Sequence, residues 1–284
     1  IVGIEQLRSG IRALAVGDSY KSHLLVGADG VNGVTARELG IRTKWHQERV
    51  ALCFVADVPL SRNEITNTMQ THDSEPAIEL YFGMVPWGYG WCFPKSAEYS
   101  IGLGCRFDKS HSLESAWDML VARIEHEKGI ELDLANRTSY RVPLGGKIDR
   151  CVARRSMLIG DAAGLVSPMT GEGISYAIES GVLAARTSID AVRTKSPLRI
   201  KEYENQVKGH MSRELADLRW LTGILHRSKR NVDLVCQIAD EDPIMREYLT
   251  DLLARTRRFS DLKISLVKRL LARHPLKAAR LGLR

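Results

Sequence analysis

The sequence predicts an α/β (α+β) chain: an open α/β ligand-binding domain interrupted by an inserted mixed or antiparallel β-sheet domain and followed by a helical tail. Three observations predict it. A strand-like apolar run ends in a glycine-rich turn that opens into a long helical pattern, from Met157 to Val192. Several strand-like segments cluster between about residues 45 and 110. From about Leu198 onward the apolar spacing is almost entirely helical. The chain is accordingly divided into 1–44 and 146–195 as two parts of one binding domain, 45–145 as the sheet domain, and 196–284 as the helical region.

Taken in order, Ile11 to Val16 is apolar-rich, Gly17-Asp18 signals a turn, and Ser22 to Val26 rises into another strand. Ala51 to Val58 (ALCFVADV), Ala77 to Met84 and Tyr99 to Phe107 (YSIGLGCRF) read as further strands. Leu113 to Glu127 has helical spacing with Ser112 as the expected N-cap. Ile174 to Val192 is a long helix after the glycine-rich loop, Pro243 and Pro275 break the helical tail, and Asp242-Pro243 marks a helix start.

Composition bounds the function. The 284 residues are 44% hydrophobic and 26% charged, ordinary for a globular protein, with no low-complexity tract or internal repeat. No apolar run reaches the ~20 residues of a membrane-spanning helix, and no secretory signal opens the chain. Cys53, Cys92, Cys105, Cys151 and Cys236 are scattered, odd in number and without CxxC spacing. Neither a zinc site nor a disulfide framework is expected; reduced thiols in a cytoplasmic protein are, with a redox role for Cys92 as the alternative. The net charge of +7 is uneven: Lys263 to Arg284 carries seven Lys or Arg and no acid, interleaved with Ile264, Leu266, Val267, Leu270 and Leu271. That pattern predicts either a peripheral membrane contact through residues 263–284 or an ordinary solvated helix face. Nucleic acid is not an expected partner, because no recognition motif accompanies the charge.

The chemistry concentrates in three segments. In Met157-Leu158-Ile159-Gly160-Asp161-Ala162-Ala163-Gly164, an apolar strand ends at Gly160 and places Asp161 at its C-terminal edge, where open α/β sheets bind ligands. The small residues let a bulky ligand approach the backbone. Pro168 follows, then Gly171-Glu172-Gly173-Ile174 opens a helix whose N–H groups and dipole suit an anion. Asp161 can accept hydrogen bonds from polyol or ribose hydroxyls. The second segment is Gly27-Ala28-Asp29-Gly30, after the strand-like Leu24 to Val26. The third, Pro86 to Lys95, sets Trp87, Tyr89, Trp91 and Phe93 at alternate positions. On a strand these build one apolar wall, suited either to core packing or to a greasy substrate.

GDAAG…P…GEGI resembles the second FAD-binding signature of glutathione-reductase-type flavoproteins, in the branch that holds aromatic hydroxylases and geranylgeranyl reductases. The resemblance implies an FAD/NAD(P)-binding, Rossmann-like domain in which Asp161 holds the ribitol chain. It implies that Gly160, Ala162, Pro168, Gly171, Glu172, Gly173 and Ile174 shape the pyrophosphate and pyrimidine site. Gly27-Ala28-Asp29-Gly30 resembles the same branch's GADGxxSxxR element, implying Asp29 and Gly30 near the cofactor. Here Gly33 replaces the Ser, and Ala36 stands at the Arg position with Arg37 one place later. The two signatures lie about 130 residues apart in the expected order. Tyr89-Gly90-Trp91-Cys92-Phe93-Pro94-Lys95 matches the YxWxFPK motif of geranylgeranyl reductases, and Ile101-Gly102-Leu103-Gly104 fits that family's glycine-bearing strand. The match implies that Tyr89, Trp91, Cys92, Phe93, Pro94 and Lys95 line an isoprenoid cavity in a substrate-binding sheet domain.

The family's opening βαβ unit, with GxGxxG and a ribose-binding acid, has no counterpart before Gly27, so the chain is expected to begin roughly 100 residues inside a complete enzyme. For the parent enzyme the resemblance implies FAD-dependent reduction of carbon–carbon double bonds in a geranylgeranyl or polyprenyl group, with NADPH or another electron donor. The alternatives are an FAD-dependent monooxygenase or halogenase acting on an aromatic ring, and a non-catalytic lipid-binding module. No catalytic proton donor is named by the sequence.

Overall fold

The computed structural model describes residues 1–72 and 75–282. In chain order the strands are β1 (Gly3–Gln6), β2 (Ile11–Ala15), β3 (Asp18–Ser22), β4 (Leu25–Gly27), β5 (Val50–Pro59), β6 (Thr71–His72), β7 (Glu75–Pro76), β8 (Glu79–Phe82), β9 (Gly88–Pro94), β10 (Glu98–Arg106), β11 (Thr138–Pro143), β12 (Val152–Ala153) and β13 (Ser156–Leu158). The helices are α1 (Thr35–Glu38), α2 (Arg62–Thr68), α3 (Leu113–Lys128), α4 (Gly160–Ala163), α5 (Ile174–Arg193), α6 (Ile200–Gly209), α7 (Met211–Leu225), α8 (Lys229–Glu241), α9 (Pro243–Ala254), α10 (Phe259–Arg273) and α11 (Pro275–Leu281). They form two compact units: residues 1–46, 143–225 and 234–284 in the first, and 47–142 with 226–233 in the second. The helical region read at 196–284 is thus shared, with 226–233 folding into the sheet unit.

In the first unit β1, β2 and β3 form an antiparallel meander, with Gly17 at φ 78° turning β2 into β3. A second sheet has the order β12-β13-β4, in which β13 and β4 run parallel and pair Leu158 with Gly27. Helix α5 buries Tyr176, Ser180, Ala184, Thr187 and Ala191 at helical spacing, and turns Ile174, Ile178, Val182, Ile189 and Val192 outward. The buried face meets Met157, Leu158, Tyr203 and Leu215 in one core. Tyr203 on α6 donates its phenolic hydrogen to the Leu158 carbonyl at 2.6 Å, so the strand tip is held from behind.

The helical tail has a core of its own around Leu218, Ile238, Phe259, Leu262, Leu266 and Leu270. Asp242 caps α9, accepting from Ile244 N at 3.1 Å and Met245 N at 3.3 Å, with Pro243 in the first helical position. Its buried carboxylate also pairs with Arg269 at 2.8 Å, and these bonds hold it well below the usual carboxylate range. The helix start read at Asp242-Pro243 is therefore anchored both locally and across the tail. Leu266 and Leu270 from the basic stretch are core residues, whereas Ile264 and Leu271 stay exposed. Leu283 and Arg284 lie outside the described residues.

The second unit is a five-stranded sheet of order β11-β5-β10-β9-β8, in which β5, β10, β9 and β8 pair antiparallel, with α3 on one face. Trp117, Leu120 and Ile124 of α3 pack on Phe54, Tyr99, Ile101 and Leu103, each such burial favouring the fold by roughly 1.5–3 kcal/mol over exposure. Helix α3 starts at Leu113 as read, but Ser112 makes no capping hydrogen bond; a 3-10 turn over Phe107–Ser112 feeds the helix instead. Gly129 ends it at φ 63°. Lys128 is buried with its ammonium on Glu79 at 2.6 Å and the Thr68 carbonyl at 2.9 Å, which satisfies the charge.

Candidate functional site

The parallel pair β4–β13 delivers both signatures of the first unit to the same sheet end. Ile159 N donates to the Gly27 carbonyl at 3.0 Å. A Cβ at Gly27 would lie 2.6 Å from Thr35 Cγ2 and 2.8 Å from Leu158 Cδ2, so only glycine allows this crossing. The strand reaches only Leu158; Gly160, at φ 50°, and Asp161 belong to the short turn of helix α4 that follows. Gly160 N donates to Ser180 Oγ at 3.0 Å, pinning that turn to α5.

Asp161 is half-buried, and its carboxylate accepts no hydrogen bond and forms no ion pair among the described residues. Burial pushes its pKa up from the ordinary carboxylate value. Gly173 stands beside it: a Cβ there would meet Asp161 Oδ1 at 3.1 Å and Val166 Cγ2 at 2.9 Å. Gly171, at φ 69°, has nothing within 4 Å of where a Cβ would be, and Gly30, at φ 74°, is equally open. An unsatisfied acid among bare glycines fits a ligand that brings hydroxyl donors and needs close backbone approach, as the ribityl chain of FAD would. Pro168 and Ala162 are buried and support the loop from inside. Ile174 is exposed on the first turn of α5.

The two other acids have structural partners. Glu172 accepts from Ser175 N at 2.7 Å and Ser175 Oγ at 2.8 Å, so its carboxylate closes the first turn of α5. Asp29 accepts from Thr35 N at 2.8 Å and Thr35 Oγ1 at 2.7 Å, holding the start of α1. A Cβ at Gly33 would overlap the Asp29 carboxyl, which accounts for glycine at the position where the resembling motif carries Ser. Exposed Arg37 pairs with its half-buried neighbour Glu38. The arginine that joins the two signatures is Arg42, whose Nη2 donates to the Ala162 carbonyl at 2.7 Å while its guanidinium stacks on Trp45 at 3.4 Å. Sequence reasoning missed Arg42 because its partner lies 120 residues away.

In the second unit the motif strand β9 splits by alternation. Tyr89, Trp91 and Phe93 point to the face opposite α3 and form a continuous row with Phe82, at centroid spacings of 5.7, 5.9 and 6.1 Å. Gly104 and Gly102 of β10 stand directly opposite Tyr89 and Trp91 and leave room for the rings. A Cβ at Gly102 would sit inside the Trp91 indole. The Tyr89 phenol is pushed up to about 12 by burial and keeps its proton at neutral pH.

Cys92 is the correction among the lining residues: alternation sends it to the helix-packed face, fully buried in the core with Tyr99 and Ile101. Burial pushes its thiol up to about 12, so it carries no accessible thiolate for redox work. Pro94 ends the strand, and Lys95 sits at the exposed hairpin turn with its ammonium on Glu98 at 2.6 Å and Asp57 at 3.1 Å. The fourth aromatic, Trp87, leaves the row. Its backbone takes φ 57°, unusual for a bulky residue, and its ring is held between the Arg106 guanidinium at 4.0 Å and the His226 ring at 5.7 Å. Among the described residues no cluster of His, Cys, Asp and Glu could hold a metal.

The sequence profile described as FAD binding domain matches residues 10–215. The chain is 30% identical over 250 residues to digeranylgeranylglycerophospholipid reductase 3 of Methanosphaera stadtmanae, an overlap of 83% of this chain and 55% of that protein. It is 34% identical over 170 residues to menaquinone reductase of Mycolicibacterium smegmatis, covering 57% of this chain and 39% of the relative. The chain thus spans roughly half the length of these curated relatives. A crystal structure of a geranylgeranyl bacteriochlorophyll reductase-like protein from Thermoplasma acidophilum superposes with a TM-score of 0.76 at 18% identity, over 99% of this chain and 68% of that one. That likeness is one of fold.

Proposed function

The chain belongs to the FAD binding domain family, and on that premise we propose that it serves the FAD-dependent reduction of carbon–carbon double bonds in a geranylgeranyl or other polyprenyl group. The observation that carries this reading is the aromatic row on the glycine floor: Phe82, Tyr89, Trp91 and Phe93 over Gly102 and Gly104. It is long and apolar, with the Asp57–Lys95 ion pair at its Phe93 end, so it suits an isoprenoid chain. The names of the relatives, a digeranylgeranyl lipid reductase and a menaquinone reductase, fit a prenylated substrate.

When bound and reduced by NADPH or another donor, the flavin would supply the hydride that reduction of an unactivated alkene requires, a proton completing the addition. The residues of this chain bind and orient. Asp161 accepts hydroxyl hydrogens of the ribityl chain, and Gly171, Glu172 and Gly173 present backbone at the start of α5. Tyr89, Trp91 and Phe93 hold the alkene and exclude water, and Tyr89 retains a proton at Oη. In an anaerobic assay with reduced FAD and a geranylgeranylated glycerophospholipid, quinone or diphosphate, the product gains two hydrogens per reduced bond. No mass gain on any of the three would sink the reading. Oxygen-dependent hydroxylation or halogenation would identify the monooxygenase or halogenase alternative, and a protein without a flavin band would identify a lipid-binding module.

The substrate class also suggests where the protein works. No helix among the described residues is long and apolar enough to cross a membrane. Ile264, Leu271 and Leu276 are exposed on a stretch that also carries Lys268, Arg273 and Arg280 and no acid. We assign this surface to peripheral contact with anionic lipid. Because Leu266 and Leu270 hold the core, the test replaces exposed residues and does not delete the segment. The Ile264→Glu/Leu276→Glu variant should lose several-fold in its bound fraction on phosphatidylglycerol vesicles; binding equal to wild type would refute the assignment.

A further inference from the structure

We propose that Arg255, supplied by the helical tail, is a positioning residue of the flavin site: it offsets the carboxylates gathered at the start of α5 and so sets how strongly that helix end takes the anionic part of FAD. The proposal rests on the reading of that site given above.

Arg255 ends α9 in the left-handed region, at φ 52°, a conformation seldom adopted by a residue with a side chain. The turn aims its guanidinium back at α5. Nη1 donates to Ser175 Oγ at 2.6 Å, Nη2 to Glu179 at 3.0 Å, and Nε to Glu214 at 3.4 Å. Its Cζ lies 3.6 Å from the centroid of the Tyr176 ring, and the Tyr176 hydroxyl donates to the same Glu214 oxygen at 3.0 Å. Ser175 is the residue whose N–H and hydroxyl hold Glu172. One side chain from the tail therefore touches a hydroxyl, an aromatic face and two carboxylates around the first turns of the helix that the glycine signature opens.

Electrostatics give the arrangement its consequence. A helix N-terminus attracts an anion through its N–H groups and its dipole. Here three carboxylates, Glu172, Glu179 and Glu214, crowd that end. Glu214 is buried, so its field is poorly screened. Arg255 faces them, as do the more exposed Arg258, at 3.7 Å from Glu179, and Arg257, which lines the same cavity but pairs with Asp251. With Arg255 in place three carboxylates are offset by its charge and that of Arg258; without it only Arg258 offsets them, and the helix start presents more negative charge to a diphosphate-bearing ligand. A lysine would keep the charge but lose the fork and the stacking plane.

The test is FAD titration of the full chain by flavin fluorescence, with the melting temperature of each variant measured in parallel. Arg255→Ala should raise the FAD dissociation constant at least tenfold. Arg255→Lys should stay within about threefold of wild type. Adding Glu214→Gln to Arg255→Ala should recover most of the lost affinity, since it removes the uncompensated charge; a purely structural role predicts no such rescue. An Arg255→Ala affinity within twofold of wild type, or a double variant no tighter than Arg255→Ala, overturns the proposal. The same titration is run with the chain joined to a GxGxxG-bearing βαβ unit of the family; no FAD uptake by that wild-type protein overturns the site assignment itself, and the proposal with it.

Discussion

Replacing Asp161 by Asn should weaken FAD binding and, at the same pH, stabilise the flavin-free protein. The carboxylate is half-buried without a partner among the described residues, and burial raises its pKa. A hydrogen bond to a charged acceptor contributes roughly 1.5–3 kcal/mol, so losing the charge should raise the FAD dissociation constant roughly 10- to 100-fold. The stability effect has the opposite sign. A raised native pKa means that the native state binds more protons than the unfolded chain between the two values. Stability therefore falls as pH rises from the ordinary value of 3.8 through the raised one. Above that window the ionised Asp161 carries its full desolvation cost, which Asn removes. The flavin-free Asn variant should melt higher than wild type at pH 7, with the gap closing below the ordinary carboxylate range. Unchanged FAD affinity would remove Asp161 from the site, and a variant that melts lower at pH 7 would mean the carboxylate has a stabilising partner.

The second large effect belongs to the aromatic row. Gly102→Val places a branched side chain where the Trp91 indole lies. The ring must leave the row, and overpacking of this kind costs roughly 1–3 kcal/mol. The melting temperature should fall by roughly 2–12 °C, at about 2–4 °C per kcal/mol for a chain near this size. Turnover of a prenyl substrate should fall at least tenfold, while FAD affinity stays within twofold because Gly102 belongs to the other folding unit. Equal loss of FAD binding and turnover would show general unfolding, and unchanged turnover would remove the row from substrate binding.

These predictions draw on different amounts of sequence information. The glycine turn after β13, the start of α5, the cap at Asp242 and the alternation of Tyr89, Trp91 and Phe93 are local. Each follows from backbone conformation or a side-chain period within a few residues, so each was legible. Alternation also determines that Cys92 faces away from the aromatics, and motif membership alone hid that. Glu172 and Asp29 are acids at motif positions, but their carboxylates turn to Ser175 and Thr35, partners that a motif does not name.

By itself, then, the sequence determined the flavoprotein fold class, the acid and glycines of the turn that follows β13, and the aromatic strand. Tertiary structure alone decided which residues complete those parts. Arg42 reaches Ala162 across 120 positions, and Arg255 reaches Glu179 and Ser175 across 76 and 80. It also decided which apolar residues of the basic tail become core and which stay outside. The physical reason is the same throughout. Local signals record backbone conformation and periodicity, whereas charge compensation and burial depend on which segments the folded chain brings within a few ångströms of one another.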